Sequence, residues 1–151
     1  TGAPRLHRLH PQGRSHPATL TERHQTLQGK AHYALLFAVP RVDRGERINV
    51  GVLLYSPAAE FLAAAINVDT ERLRALDSNA DVELIQAALN FIQMVCAGDP
   101  AAGPAATRSA RARFGWLTAP RSTVVQPGAV HGGITAKPEV ELDRLMDRVV
   151  R

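Results

Sequence analysis

Three runs of apolar residues in the first half of the sequence predict β-strands. They cover residues 32–39, 48–55 and 61–68, and the second is rich in the β-branched residues that favour extended structure. A polar segment separates the first two runs, and a short turn that contains Ser56 and Pro57 separates the second from the third. Because these connections are short, we predict that the three strands are antiparallel neighbours.

Helical signals follow the third predicted strand. Asp69 is placed to cap a short helix, and Ser78 with Asp81 resembles a capping box at the start of a longer one. Gly98 and Pro100 end that longer helix. Nearly all of its positions are apolar except for one narrow polar stripe, so we expect it to lie across a face of the sheet. The polar stripe consists of Glu83, Gln86, Asn90 and Gln93.

The remaining third of the sequence predicts a loop, two short strands and a final helix. Residues 99–113 are rich in Pro, Gly, Ala and Arg and are expected to form a loop, after which residues 114–117 restore apolar order. Strands are predicted at 122–126 and 129–131, and Pro138 suits the first position of the last helix. The predicted fold class is therefore α+β, with an antiparallel sheet of four or five strands and helices packed mainly on one face.

The net charge of +4 is confined to the N-terminal segment. Residues 1–30 contain five basic side chains and one acidic one, whereas residues 31–151 contain 13 of each. The segment has no helical or strand periodicity, so we predict that residues 1–31 form a disordered basic tail and residues 32–151 a single domain. Because this domain is electrically neutral, nucleic-acid binding is expected only through the tail.

Several functional classes lack support in the sequence. No apolar run approaches the roughly 18 residues of a membrane span, so we predict no membrane association. The single cysteine, Cys96, cannot form an internal disulfide or a thiolate metal cage, and it is typical of a small buried residue in a cytoplasmic protein. The established catalytic and nucleotide-binding motifs do not occur. We therefore predict no catalytic residue, no metal site and no cofactor, and we favour a non-enzymatic role.

Two segments nevertheless contain clustered polar chemistry. In the first segment, residues 44–51, charged side chains directly precede the start of the second predicted strand. Asn49 and Gly51 would share one face of that strand by its period of two, and a glycine inside a strand indicates the close approach of a backbone or a ligand. The candidate binding residues of this segment are Arg44, Arg47 and Asn49, supported by Glu46 and Gly51.

The second segment, residues 113–123, has an arginine near each end, three hydroxyl side chains and a rigid proline. We predict that Trp116 lies in the core. If the two segments meet in space, their arginines would converge with Asn49 and Ser122 on a phosphate or carboxylate. In the alternative, structural interpretation, Glu46 pairs with an arginine across the sheet end and Asn49 satisfies loop backbone. The candidate binding residues of this segment are Arg113, Arg121 and Ser122, supported by Trp116, Thr118 and Thr123.

The sequence also resembles a known protein family. Residues 33–40, 44–54 and 114–123, in this order, are similar to the bacterial family catalogued as domain of unknown function 3037 (DUF3037). The resemblance covers about residues 32–150, although Phe37 stands where the family often has Arg or Gln. The family has no assigned activity, and its members are often encoded beside HipA-like serine/threonine kinases. The resemblance therefore implies a partner or regulatory role.

Three functional hypotheses follow from the sequence. The first is a cytoplasmic, non-enzymatic accessory or interaction domain that serves a HipA-like kinase. The second is an anion-binding domain for a nucleotide or another phosphorylated ligand, which could be an enzyme. The third is nucleic-acid binding through the basic tail, which predicts strong dependence on salt concentration.

Overall fold

The computed structural model describes residues 29–151. Its first three strands, β1 (Gly29–Ala38), β2 (Ile48–Ser56) and β3 (Phe61–Ile66), form an antiparallel meander as predicted. The sequence analysis assigned residues 29–31 to the tail, and the structure instead places them in β1, where the Ala31 side chain is buried. The rest of the predicted tail lies outside the described residues.

β1 is the central strand of a five-stranded antiparallel sheet. β2 lies on one side of it, with β3 beyond, and two short strands share the other side. These are β4 (Val125–Pro127), which pairs with the C-terminal part of β1, and β5 (His131–Thr135), which pairs with its N-terminal part. The predicted fourth strand overlaps β4, but the predicted fifth overlaps β5 only at its first residue. The two glycines at positions 132 and 133 weaken the sequence pattern that would predict β5.

Within residues 29–151, four α-helices and two short 3₁₀ turns complete the fold. The predicted N-cap Asp69 accepts hydrogen bonds from the backbone N–H groups of Glu71 and Arg72. At the longer helix the cap is Asp81, which accepts from Leu84 N at 3.0 Å, and not Ser78 as predicted. The helices are α1 (Thr70–Leu76), α2 (Val82–Ala97), α3 (Ala110–Thr118) and α4 (Pro138–Val149), and the 3₁₀ turns are Pro100–Ala102 and Pro104–Thr107.

The predicted loop at residues 99–113 is more ordered than its composition indicates. It contains both 3₁₀ turns and the first four residues of α3. Asp99 accepts a hydrogen bond from Ala101 N, and Ser109 accepts one from Ala112 N, so the first 3₁₀ turn and α3 each have a side-chain N-cap. The apolar run that follows is therefore helical, and only the residues on its inner side are buried.

Two apolar clusters cover the two faces of the sheet. α1, α2 and α3 contribute to the first cluster and α4 to the second, which confirms that the helices pack mainly on one face. Buried residues of the first cluster include Leu36, Val50, Leu53, Leu73, Ile85, Leu89 and Phe114. Those of the second are Ala31, Val52, Leu54, Leu142, Leu145, Met146 and Val150.

A β-bulge in β2 changes which residues share a face of the sheet. Leu36 pairs with Gly51 and Phe37 with Asn49, so Val50 is an extra residue in the ladder. The prediction that Asn49 and Gly51 lie on one face is therefore wrong. The Asn49 side chain bonds to α4 on one face of the sheet. A Cβ added to Gly51 would point to Leu36, which belongs to the apolar cluster on the opposite face.

Candidate functional site

The first predicted arginine, Arg44, pairs with a neighbouring acid. Its Nε lies 2.8 Å from Oε1 of Glu46 at the turn between β1 and β2, and both side chains are about half exposed. A small pocket of about 100 Å³ next to this pair is also lined by Arg41 and Asp77, so two basic and two acidic side chains line it. Glu46 therefore pairs with an arginine, but with one two residues away and not across the sheet end as predicted. The balanced charges of the pocket give no preference for an anion.

Arg47 lies over an aromatic ring. Its guanidinium carbon is 4.0 Å from the centre of the Phe37 ring, a cation–π contact at the surface. The Phe37 side chain itself is buried. The contact explains how an apolar side chain is accommodated at this position, because Arg47 covers it.

Asn49 connects β2 to the last helix. Its Nδ2 donates a hydrogen bond of 2.8 Å to the carbonyl oxygen of Val149, at the C-terminal end of α4. The carbonyl groups in the last turn of a helix have no partner within the helix, so this amide satisfies one of them. Asn49 therefore stabilises the docking of α4.

Arg113 caps the C-terminal end of α2. Its Nη1 donates to the carbonyl oxygens of Val95 and Cys96 at 2.9 and 2.7 Å, and its Nε donates to the carbonyl of Arg108 at 2.9 Å. The positive charge also lies at the negative end of the helix dipole. All of these partners are backbone, so Arg113 holds α2, α3 and the intervening turns together.

Arg121 and the hydroxyl residues of the second segment have local partners as well. Arg121 donates to the carbonyl oxygens of Trp116 and Ala119 near the end of α3. Thr118 donates to the Phe114 carbonyl, Thr123 donates to the Val125 carbonyl, and Ser122 is exposed. Within residues 29–151 no hydrogen bond or ion pair joins the first predicted segment to the second. No hydrogen bond or ion pair between the two segments therefore supports the predicted anion pocket within the described residues.

Cys96, predicted to be a small buried residue, is a buried free thiol at the end of α2. Burial raises the pKa of this thiol to about 12, although the nearby Arg113 charge acts in the opposite direction. Because the thiolate is the reactive form, we expect a disulfide reagent at pH 8 to label folded protein at least about 100-fold more slowly than protein unfolded in urea. Equal labelling rates would show that the end of α2 opens readily.

An exposed group of apolar and aromatic side chains lies on the outer side of α2 and α3. Leu84 is 50% exposed, Phe91 39% and Trp116 36%. The rings of Phe91 and Trp116 meet edge to face with their centres 6.1 Å apart, and the Arg121 guanidinium lies 4.9 Å from the centre of the Trp116 ring. We call Leu84, Phe91, Trp116 and Arg121 the aromatic face.

This surface was not predicted from the sequence. Trp116 was predicted to lie in the core, and that prediction is wrong because residues 114–117 belong to a helix. With a period of 3.6 residues, Phe114 and Leu117 point inward and are buried, while Trp116 lies on the outer side. The sequence of α2 did contain a signal for this exposed surface. The apolar residues of α2 extend around more of the helix than one sheet can cover.

The domain is a small α+β unit with helices on both faces of its sheet and an aromatic face on one helix pair. The chain belongs to a protein family of unknown function, DUF3037, whose family model matches residues 33–150. This finding confirms the resemblance predicted from the sequence. No curated protein and no solved structure matches the chain.

Two further features bear on the possible chemistry. In the described part of the chain, no helix combines the length and the apolar character needed to cross a membrane. Residues 29–151 contain no group of three or more His, Cys, Asp or Glu side chains placed to hold a metal ion.

Proposed function

We propose that this is a non-enzymatic interaction domain that binds a protein partner through the aromatic face. The observation that carries the proposal is the joint exposure of Phe91 and Trp116, with Arg121 stacked on the tryptophan. Tryptophan, phenylalanine and arginine are enriched in protein interfaces, and tryptophan and arginine dominate measured hot spots. Large apolar side chains that remain exposed together commonly mark a docking site.

The aromatic face is held in place before a partner arrives. Arg121 is anchored by two backbone carbonyl groups, and Trp116 is contacted on one side by Phe91 and on another by Arg121. Side chains that are ordered in the free protein lose less conformational entropy on binding. This arrangement supports a function in recognition rather than one in packing alone.

As part of this proposal, the partner is a HipA-like serine/threonine kinase in the bacterial cytoplasm. The support for this choice is the family's association with genes for such kinases and the single unpaired cysteine, which is typical of a reducing compartment. The domain would act as an accessory subunit that binds the kinase and changes its activity.

Coexpression with a HipA-like kinase encoded beside this chain tests the proposal. We expect the two proteins to elute together, and we expect Trp116→Ala and Phe91→Ala each to weaken the complex by at least about 2 kcal/mol, roughly thirty-fold in Kd. Val140→Ala is a matched control because Val140 is an exposed apolar residue on α4, which covers the opposite face of the sheet. Calorimetric titration gives Kd, and circular dichroism verifies that each variant is folded.

Two outcomes would contradict the proposal. Separate elution of the wild-type proteins, with kinase activity unchanged by the domain, would remove the kinase as the partner. Formation of a complex that Trp116→Ala and Phe91→Ala leave unchanged would show that the partner binds elsewhere.

A further inference from the structure

A second surface feature lies at the end of the sheet, away from the residues of the aromatic face. It is an open groove of about 500 Å³ between the start of β1, the turn after β2 and the side of α3 that carries Arg111, Phe114 and Thr118. This volume is within the range of roughly 300–1,000 Å³ typical of sites for small molecules. The side chains that give it its chemistry are Lys30, His32, Tyr55, Arg111, Phe114 and Thr118.

Three aromatic rings line one part of the groove. The ring centres of Tyr55 and Phe114 are 5.3 Å apart, and the His32 ring is 6.3 Å from the first and 6.4 Å from the second. The three residues come from β1, β2 and α3, so the fold itself brings the rings together. Two of the rings also have polar atoms, which can form hydrogen bonds with the edge of a heteroaromatic ligand.

The charged side chains that line the groove are both positive. Lys30 comes from β1 and Arg111 from the first turn of α3, and among residues 29–151 no acidic side chain lines the groove. Within residues 29–151 neither side chain forms an ion pair, in contrast to Arg44, which Glu46 neutralises. An ammonium and a guanidinium that line the same groove are suited to a phosphate group.

We propose that this groove binds a nucleoside monophosphate, with the phosphate between Lys30 and Arg111 and the base against Tyr55 and His32. The Phe114 ring, which is 8% exposed, packs close to both of these rings and supports them. Aromatic side chains accept bases by stacking, and the polar edges of His32 and Tyr55 suit a base better than a plain phenyl ring. The site is distinct from the residues predicted to bind an anion and from the aromatic face. It would give the interaction domain a small-molecule ligand.

Calorimetric titration of the full chain with AMP, adenosine and inorganic phosphate tests the inference. We expect AMP to bind at least about tenfold more tightly than either of its two parts, because only AMP engages both the rings and the cations. Arg111→Glu and Lys30→Glu should each weaken AMP binding at least tenfold. The matched control is Arg108→Glu, which makes the same change of charge at an exposed position outside the groove lining, and it should leave binding unchanged.

The variants are expected to fold, since Lys30 and Arg111 are exposed and an acidic residue in the first turn of α3 is compatible with the helix dipole. Three results would overturn the inference. These are no AMP binding at millimolar concentration, equal losses in Arg111→Glu and Arg108→Glu, and tighter binding of a phosphotyrosine peptide than of AMP. None of them depends on whether a kinase partner is found.

Discussion

Replacing Gly51 with alanine is expected to lower the free energy of unfolding by about 3 kcal/mol. A Cβ at this position would lie 2.5 Å from the carbonyl oxygen of Ala65 and 3.3 Å from Cδ1 of Leu36. The closer atom is backbone, so strand β3 would have to move away from β2 at the bulge, where Gly51 pairs with Ile66. Urea denaturation followed by circular dichroism measures the change.

The control for Gly51 is a glycine in the same sheet that has open space. Gly132 lies in β5, and a Cβ there would meet nothing within 4 Å. Gly132→Ala should change the free energy of unfolding by no more than about 0.5 kcal/mol, because it adds a methyl group without a collision. If Gly51→Ala were equally neutral, the close approach of β2 and β3 at the bulge would be disproved.

The strands were the most predictable part of this fold. Most of β1 and β2 is buried on both faces, so each appears in the sequence mainly as a run of apolar residues. The bulge at Val50 was not predictable, because it depends on the register between two strands that the sequence does not specify residue by residue. Sequence analysis could therefore infer that something approaches Gly51 closely, but not that it is the backbone of Ala65.

The candidate site was predicted less well, and the reason is chemical. An arginine near hydroxyl groups gives the same sequence pattern whether it binds a phosphate or a helix end, since both present oxygen atoms to the guanidinium. Arg113 and Arg121 are bonded to backbone carbonyl groups in the structure. The groove went unnoticed because Lys30, Tyr55 and Arg111 are distant in sequence and meet only in the fold.

Replacing Arg113 with methionine is the second large effect that we expect, a loss of about 2–3 kcal/mol in the free energy of unfolding. The substitution removes the hydrogen bonds to the carbonyls of Val95 and Cys96 and the positive charge at the end of α2. Val95 O would retain a bond from Gly98 N, whereas the bond to Cys96 O would be lost. Arg113→Lys should lower the free energy of unfolding by an intermediate amount, because lysine keeps the positive charge but lacks the planar guanidinium group.

Arg111→Met is the matched control, since Arg111 is an exposed arginine two residues away in the same helix. We expect it to change stability by no more than about 0.5 kcal/mol. The comparison also decides between the two interpretations of the second segment. A loss confined to Arg113→Met would show that this guanidinium is committed to the end of α2. If Arg113→Met were as neutral as Arg111→Met, Arg113 would be available to a ligand, and the anion pocket predicted from the sequence would regain its strongest residue.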